Sequence, residues 1–283
     1  MKTTWNHMSG LERVLSILKY LFLTCCVLVA IYPIFWIIMS SFKTNNEILS
    51  NGMALPTSIS FDGYVSAFKL SPILSYFGHS VIIAVVTTIA NVFLIAMAAY
   101  VFARCRFRFK NAIYWLLSLS LVIPMTALLN PVYIVIKAMN LTDTKLGLIL
   151  VYTATNMPMS LMILRGTFLA IPASLEEAAY VDGAGFFRTF IQIMMPCAKG
   201  GLASAGVLTF LGCWNEFTFA LILTSGQSAR TLPLSMAYFT SQFSFNYTAM
   251  FAALTIAIIP SIVVFAIFQE KIVSSLTAGA VKG

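Results

Sequence analysis

The amino-acid sequence predicts an all-α integral membrane protein with six transmembrane helices and with both termini in the cytoplasm. Of its 283 residues, 60% are hydrophobic and only 9% are charged, whereas about a quarter of the residues in soluble domains are charged. Six long stretches contain no charged residue or, in one case, only Glu216. A bilayer span needs roughly 20 apolar residues, so each stretch holds one span. The six predicted spans are residues 20–41, 77–103, 113–136, 146–164, 201–223 and 249–268.

The first span is predicted to be retained rather than cleaved. Its apolar part is longer than a signal-peptide core, and no small-residue cleavage site follows it. Prolines in or near three spans are typical of helices that line a cavity, but also of ordinary kinked helices. These prolines are Pro33, Pro124, Pro131 and Pro158. The predicted organisation is an N-terminal part with the first span and an outer segment (1–70), a transmembrane core (71–270) and a C-terminal tail (271–283).

The distribution of positive charge predicts the orientation. Twelve of the 17 Lys and Arg residues would lie on the side that carries both termini, and five on the other side. Since Lys and Arg accumulate in cytoplasmic loops, both termini are expected in the cytoplasm. The net charge of +8 reflects this bias and does not indicate a nucleic-acid partner. The five cysteines lie in spans or at cytoplasmic ends, so no disulfide framework is expected, and no Cys/His spacing predicts a metal site.

A polar segment between the fourth and fifth spans stands out in this apolar chain. Ser174 followed by Glu177 predicts a capping box, so that a short helix begins at Leu175. Gly183 and Gly185 are predicted to end this helix, and residues 186–194 are predicted to form a second short helix. On capping chemistry alone, an ordinary surface helix is an equal interpretation.

The spacing across this segment resembles the signature loop of ATP-binding-cassette (ABC) importer permeases. The pattern is Glu177-Ala-Ala, Gly183, Ile193 and then Met195-Pro196. The family pattern ends Ile-x-Leu-Pro, so Met195 is a conservative departure. Shorter segments resemble carbohydrate-importer permeases, and most of all the second permease of the maltose type. They are Ala98-Ala-Tyr100, Ala103-Arg104, residues 165–172, Asp182-Gly-Ala184, Trp214-Asn-Glu-Phe217, Thr231-Leu-Pro233 and residues 276–283.

The resemblance implies the type I ABC importer permease fold. The loop at residues 172–196 would dock in a cleft on a cytoplasmic ATPase subunit, with Glu177 as the charged contact and Gly183 permitting a sharp turn. The tail from Thr277 onward would insert between two ATPase subunits, although a frayed terminus explains its composition as well. The residues expected to couple this chain to the ATPase are Glu176, Glu177, Ala178, Ala179, Asp182 and Gly183.

The resemblance also implies the partners. They are a second, related permease, two ATPase subunits, an extracytoplasmic solute-binding protein, a sugar substrate and the lipid bilayer of a bacterial plasma membrane. The chain has no G-x-x-x-x-G-K-[ST] motif. We therefore expect a subunit that is not an enzyme and binds no cofactor, with ATP and Mg²⁺ used by the partner ATPases.

Polar residues inside the spans are the candidates for a substrate path. Glu216 is the one acid within a span, where a charge costs roughly 2.5–3.5 kcal/mol and usually faces protein or water. It could contact sugar hydroxyls beside Asn215, but a role in helix packing or an outer gate is the favoured interpretation. Trp214 could stack on a sugar ring or pack in the bundle. Further candidates are Asn91, Asn130 and Asn156.

Two alternatives to a sugar importer remain open. The first is an ABC permease for glycerol phosphate, a polyol or another small solute. The second is a secondary transporter or channel that needs no ATPase. A secondary transporter usually buries several ionisable residues for its coupling ions, and this chain has one. The outer loop at residues 224–248 resembles a loop that probes the binding protein's cleft, or it is a solvated turn.

Overall fold

The computed structural model describes residues 10–241 and 244–280, which form helices, connecting turns and one short hairpin. By their internal contacts the residues divide into two compact units. The first unit contains the chain up to Ser71 together with Tyr238–Ile256, and the second contains Pro72–Ala237 and the chain from Ala257 onward. Each unit is described by itself.

The first unit contains one long apolar helix and several short elements. A capping box starts the short helix α2 (Asn45–Ser50). The Glu47 amide donates to Thr44 Oγ1 (3.3 Å), and the Thr44 amide donates to Glu47 Oε2 (2.8 Å). Trp36 packs edge-to-face on Phe251, with 4.9 Å between ring centroids. The elements are α1 (Gly10–Ser40), α2 (Asn45–Ser50), α3 (Asp62–Leu70), β1 (Thr240–Ser241), β2 (Ser244–Phe245) and the start of α14 (Tyr247–Ala280).

The second unit is built around three long helices that pack together. The helix α4 (Ile73–Arg104) packs along α7 (Lys145–Ala170), and α11 (Lys199–Trp214) contacts both. The elements are α4 (Ile73–Arg104), α5 (Lys110–Leu119), α6 (Leu129–Ala138), α7 (Lys145–Ala170), α8 (Ser174–Val181), α9 (Phe186–Thr189), α10 (Met195–Cys197), α11 (Lys199–Trp214), α12 (Thr218–Leu223), α13 (Leu232–Ser235) and the rest of α14. Single turns of 3₁₀-helix cover Ser120–Val122, Met125–Leu128 and Met236–Phe239, and a π-helical turn covers Phe190–Met194.

Close approach of α7 and α11 depends on a residue without a side chain. A β-carbon at Gly201 would overlap the side chain of Thr167. Glycine therefore lets the two backbones come close to each other near the end of α7. The apolar core of the second unit lies beside this contact and includes Tyr100, Phe168 and Phe190.

The described residues confirm the predicted membrane-protein class. Four helices are long and apolar enough to cross a bilayer, and six spans result if each of two bent helix pairs counts as one. The four helices cover Arg13–Ser40, Ile73–Arg104, Lys145–Ala170 and Tyr247–Glu270, and the bent pairs cover 110–138 and 186–214. The helix α14 continues to Ala280, and residues 281–283 of the predicted tail lie outside the described residues.

The third and fifth predicted spans are interrupted rather than continuous helices. The third bends by 102° where Ile123 has an extended backbone before Pro124. Proline lacks an amide hydrogen and disfavours helical geometry in the residue before it. The fifth stops at Trp214, and α12 begins only at Thr218. By contrast, α1 and α7 continue through Pro33 and Pro158.

Candidate functional site

The helix α8 begins without the predicted capping box. Ala173 occupies the N-cap position in a right-handed helical conformation, and it makes no side-chain cap. The Glu176 amide already donates to Ala173 O at 2.9 Å. The chain therefore enters the helix one residue earlier than predicted, and Ser174 is its first helical residue rather than its cap. The box fails because its serine must precede the helix to accept from the amide three residues on.

The end of α8 confirms the predicted turn at Gly183. The Gly183 amide donates to Tyr180 O (3.0 Å), and the Ala184 amide donates to Ala179 O (2.9 Å). These two bonds form a Schellman motif, which needs a left-handed residue after the helix. Gly183 supplies it with φ of 77°.

The two carboxylates of α8 point in different directions. Glu176 is buried and lies 3.2 Å from Arg104 at the end of α4, as an ion pair without hydrogen-bond geometry. Arg104 also donates through Nη2 to Ile171 O at 2.5 Å. Glu177 is exposed. Of the two glutamates among the predicted coupling residues, Glu176 therefore contacts its own chain, and Glu177, the predicted charged contact, is exposed to a partner.

The two alanines of α8 also lie on opposite sides of the helix. Ala179 is buried against the protein, whereas Ala178 is exposed. Residues three and four apart share a helix face, so Ser174, Glu177, Ala178 and Val181 form one outward surface. We call this surface, together with the neighbouring Asp182 and Phe187, the α8 face.

The α8 face exposes apolar area beside acidic groups. Val181 is 87% exposed and Phe187 is 71% exposed, while Glu177 and Asp182 supply two carboxylates beside them. Exposed apolar side chains that lie together with polar groups around them mark interaction sites. The arrangement suits binding to a complementary protein surface.

An aromatic cluster holds the loop after α8 against the transmembrane helices. The Tyr100 ring of α4 stacks on Phe190 with 5.1 Å between centroids, and lies 5.2 Å from Phe186 and 5.6 Å from Phe168. Aromatic pairs at these distances add to the stabilisation from burial alone. These rings therefore pack the loop against α4 and α7, in addition to the contacts of Arg104.

The predicted second short helix is only partly regular. The α-helical geometry of α9 ends at Thr189, and Phe190–Met194 form a π-helical turn before Pro196. Such turns are rare and occur frequently at functional sites. The helices on the two sides of residue 198 meet at 77°, so the loop crosses the end of α11 instead of continuing it.

Glu216, the acid inside the fifth span, is fully engaged by its own chain. Tyr152 Oη donates to Glu216 Oε2 (2.6 Å), and the Phe219 and Ala220 amides donate to its two oxygens (2.7 and 3.1 Å). The carboxylate thus caps the start of α12, where it also matches the positive end of the helix dipole. These bonds agree with the packing interpretation.

Trp214 is packed on all sides within the second unit. It is 1% exposed, and its indole nitrogen donates to Ala257 O at 3.0 Å. Its ring stacks on Phe210 (5.9 Å) and meets Phe77 edge-on (5.5 Å). The tryptophan is a structural residue of this chain, and its ring is not available for stacking on a sugar.

Asn215 lies next to Trp214 but is exposed. Its Nδ2 donates to Leu211 O (2.9 Å), and its Oδ1 accepts from Ser261 Oγ at 3.4 Å. It stands in the break between α11 and α12, where the backbone is irregular. Irregular backbone at membrane depth is tolerated only where protein or a water-filled cavity covers it. Asn215 is therefore the substrate-path candidate with the most suitable surroundings.

The remaining asparagines differ in accessibility. Asn91 is fully buried, donates to Thr153 O (3.0 Å) and accepts from Thr209 Oγ1 (3.3 Å), which joins three helices. Asn156 donates to Tyr152 O at 2.8 Å. Asn130 is exposed in the first turn of α6. The buried network of Asn91 is structural because its polar atoms are satisfied inside the protein.

An acidic residue that the sequence did not single out organises the outer loop of the second unit. Asp143 Oδ1 accepts from the Ser225 and Gly226 amides, both at 2.7 Å, and Oδ2 accepts from Ser225 Oγ at 2.5 Å. The Ser225 side chain, then the two amides and the charge of Arg230, lower the pKa of Asp143. The turn before α7 thereby fixes the start of the outer loop. The side chains of residues 240–245 in that loop lie outside the description.

Comparison with known proteins identifies the family of the chain and agrees with the fold. Residues 91–277 match the family described as binding-protein-dependent transport system inner membrane component. The diacetylchitobiose uptake system permease protein of Streptomyces coelicolor is 34% identical over 270 residues, which cover 95% of this chain and 89% of the relative. The trehalose transport system permease protein of Mycobacterium tuberculosis is 36% identical over 256 residues, which cover 90% and 93%.

Solved structures share the fold at lower identity. A bacterial ABC transporter involved in the import of the acidic polysaccharide alginate superposes with a TM-score of 0.82 at 21% identity, over 93% of this chain and 98% of the other. A bacterial alginate ABC transporter in complex with an alginate pentasaccharide-bound periplasmic protein gives a TM-score of 0.66 at 14% identity, over 92% and 93%.

The helices, the two broken spans and the loop at residues 172–196 define the membrane-spanning component of a transporter. The chain belongs to the family of binding-protein-dependent transport system inner membrane components. It is accordingly a multi-pass ABC transporter permease of the cytoplasmic membrane with the type I importer fold.

Proposed function

We propose that this chain is the permease subunit of an ATP-driven importer that moves a sugar or oligosaccharide into the cytoplasm. The substrate class is supported by the relatives, which are named for diacetylchitobiose and trehalose transport, and by the fold neighbour named for alginate import. These substrates are all saccharides. A second permease subunit, two ATPase subunits and an extracytoplasmic binding protein complete the proposed importer.

The observation that carries the coupling proposal is the two-sided construction of α8. Its outward α8 face is exposed, apolar and acidic, while its inner side is tied to α4 through Glu176 and Arg104. An ATPase subunit that binds the α8 face can therefore move α4 and α7 without first deforming the loop. ATP and Mg²⁺ are used by that subunit, and this chain contributes no catalytic residue.

The proposed cycle follows from this connection. Closure of two ATPase subunits on ATP draws the docked loops of the two permeases together, and the helices attached to each loop rock about a central site. The site is then open to the outside in one state and to the cytoplasm in the other. The energetic requirement is a difference in stability between the two states that ATP binding reverses.

The break at Asn215 is the proposed point of contact between this chain and the saccharide. A sugar is bound by hydrogen bonds from side chains and backbone, and Asn215 offers both at an exposed interruption of the fifth span. Glu216 orients the break by capping α12 and does not itself meet the substrate. A secondary-transport mechanism would need a free ionisable group, whereas this acid is bonded to Tyr152.

The test measures whether ATPase subunits assemble with this chain and whether a loaded binding protein stimulates their ATP hydrolysis. The chain is co-expressed with its neighbouring permease, ATPase and binding protein, purified in detergent and reconstituted in nanodiscs. We expect the ATPase subunits to co-purify with it and ATP hydrolysis to rise when the binding protein carries a saccharide. A panel of mono-, di- and oligosaccharides, glycerol phosphate and polyols then identifies the substrate class. Failure of every ATPase to co-purify would contradict the proposed importer function. Stimulation by a polyol alone would contradict a saccharide as the substrate.

A further inference from the structure

A basic and aromatic segment separates α4 from α5 and takes no part in the loop described above. It is Cys105–Lys110, and three of its six residues are Arg or Lys. The charge distribution places it on the cytoplasmic side of the membrane. The segment surrounds an open concavity of about 380 Å³ lined by Arg106, Phe107, Phe109, Lys110, Asn111 and Ala112.

Two of the six residues that line this concavity, Arg106 and Lys110, are positively charged hydrogen-bond donors. Among the described residues, the Arg106 guanidinium has no hydrogen-bond or ion-pair partner. Lys110 Nζ uses one of its three donors on Cys105 O at 2.8 Å. No carboxylate lines the concavity. An anion that entered it would meet two cations and no opposing charge.

The backbone adds donors at the same place. The helix α5 starts at Lys110 without a side-chain cap, so the amides of Asn111 and Ala112 have no acceptor within the described part of the chain. Uncapped amides at a helix N-terminus favour a phosphate group. Phe109 precedes the helix with φ of 62°, and this turn directs the chain around the concavity.

The surface that continues from the concavity is apolar. Along α5, Ile113, Trp115 and Leu116 are exposed, Leu116 to 70%. Phe107 and Phe109, which alternate with the basic residues in the chain, are also exposed. A polar, cationic concavity at the cytoplasmic end of an exposed apolar helix matches the two parts of a phospholipid, its headgroup and its acyl chains.

We propose that this concavity binds the headgroup of an anionic phospholipid of the cytoplasmic leaflet. Arg106, Lys110 and the first amides of α5 would donate hydrogen bonds to its phosphate. The acyl chains would lie along the exposed face of α5. Clusters of Lys and Arg just cytoplasmic of a span attract anionic lipids. A free phosphate would use only the cations, whereas the lipid also covers the exposed face of α5. Arg104, which ends α4 beside this segment, is bound to Glu176, so the lipid would sit next to the loop that we propose for coupling.

The test measures lipid retention by native mass spectrometry of the purified complex of all subunits. The probes are dioleoyl phosphatidylglycerol and dioleoyl phosphatidylcholine. We expect at least tenfold tighter binding of phosphatidylglycerol, and at least a tenfold loss in the double variant Arg106→Gln with Lys110→Gln. The matched control is Lys19→Gln with Lys199→Gln, which removes the same charge from two exposed cytoplasmic lysines and should retain the lipid. The swap Arg106→Lys with Lys110→Arg should also retain it.

Three results would overturn the proposal. The first is an equal loss in the double variant and its control, which would reduce the effect to general charge attraction. The second is displacement of the lipid by millimolar inorganic phosphate, which would make the site one for a soluble anion. The third is lipid binding by the permease pair that disappears when the ATPase subunits are added, which would assign the concavity to a protein interface. Because the readout is lipid retention, none of them depends on whether a saccharide is transported.

Discussion

Nε of Arg104, at the end of α4, lies 3.2 Å from Oε2 of Glu176 in α8, and both side chains are largely buried. The pair joins a transmembrane helix to the exposed loop, and Arg104 extends the connection through its bond to Ile171 O. It therefore fixes the position of α8 relative to the end of α4. It also explains why only one of the two neighbouring glutamates of α8 is presented to solvent.

The substitution Arg104→Gln should loosen the loop. It leaves the Glu176 carboxylate largely buried without its cation, which costs about 1–3 kcal/mol. We expect normal insertion, lower saccharide uptake and retained basal ATP hydrolysis, so that more ATP is consumed per sugar moved. The measurement is uptake and hydrolysis in the same proteoliposomes.

A double-mutant cycle with Glu176→Gln distinguishes this pair from general destabilisation. The coupling energy of two residues in contact should be about 0.5–3 kcal/mol, and the double variant should recover part of the lost transport because no charge is left unpaired. Additive losses in the cycle would show that the two residues act separately.

Glu177→Ala tests the outward carboxylate of the α8 face. The side chain is exposed and makes no hydrogen bond or ion pair within the described residues. We expect the subunit to insert and fold normally, but ATP hydrolysis should no longer respond to the saccharide-loaded binding protein. The matched control is Ser174→Ala, on the same face, which should leave stimulation intact. Unchanged stimulation and uptake in Glu177→Ala would remove this residue from the coupling proposal.

Gly183→Ala should weaken the turn after α8 by backbone strain alone. No atom lies within 4 Å of the added β-carbon, but φ is +77°. A residue other than glycine in this conformation costs roughly 1–2 kcal/mol. Gly185→Ala is the matched control, because Gly185 has φ of −74° and equally open surroundings. Thermal unfolding and ATPase stimulation should change in the first variant only, and equal effects would mean that the strain is not the cause.

The membrane class and the place of the loop could be predicted because they depend on local composition. Charge-free runs of bilayer length and an excess of Lys and Arg on one side are properties of short segments. The Gly183 turn was predictable for the same reason, since only a residue tolerant of positive φ ends a helix in this way.

The features that could not be predicted depend on contacts between distant residues. The inward direction of Glu176 depends on Arg104, and the interruption of the fifth span is stabilised by Glu216 with Tyr152 from another helix. The capping box failed because Ala173 is already helical. Pro124 was visible in the sequence, but a proline in a span predicts a kink and a complete break equally well.

Asp143→Asn should release the start of the outer loop. Asp143 Oδ1 accepts from the Ser225 and Gly226 amides and Oδ2 accepts from Ser225 Oγ. An asparagine side chain keeps one acceptor oxygen but no charge, so the Ser225 Oγ bond is lost and the two amide bonds lose their charge assistance. Hydrogen exchange of these two amides should accelerate in the variant. In the unchanged protein the pKa of Asp143 is lowered. The stabilisation is therefore complete above the ordinary value of 3.8 and is lost as the pH falls through the lower, folded-state pKa.

Exchange that is already fast in the unchanged protein at neutral pH would contradict this role of Asp143. A suitable control is Asp62→Asn, since Asp62 accepts from Ser60 Oγ in the first unit and makes no bond to residues 225 or 226. That variant should leave exchange at these two amides unaltered.

Asn215→Ala and Asn91→Ala should separate substrate contact from packing. Asn91 is fully buried and bonded to Thr153 and Thr209. Its removal takes one hydrogen bond from Thr153 O and one from the Thr209 hydroxyl, which keeps its bond to Ser160 Oγ, and this costs about 1–3 kcal/mol of stability. Asn215 is exposed, and its own bonds are to its helix and to Ser261. Its removal should change the melting temperature little, yet raise the saccharide concentration needed for half-maximal uptake several-fold.

The comparison is informative because both variants delete the same side chain. Uptake kinetics in proteoliposomes and thermal unfolding in detergent, measured on each variant, assign each asparagine to one role. A hydrogen bond to an uncharged group contributes about 0.5–1.5 kcal/mol, so the loss of one sugar contact at Asn215 corresponds to a change of about two- to twelvefold in affinity. If Asn215→Ala instead lowers the melting temperature and leaves the half-maximal concentration unchanged, the break in the fifth span is a packing feature, and the saccharide is bound elsewhere.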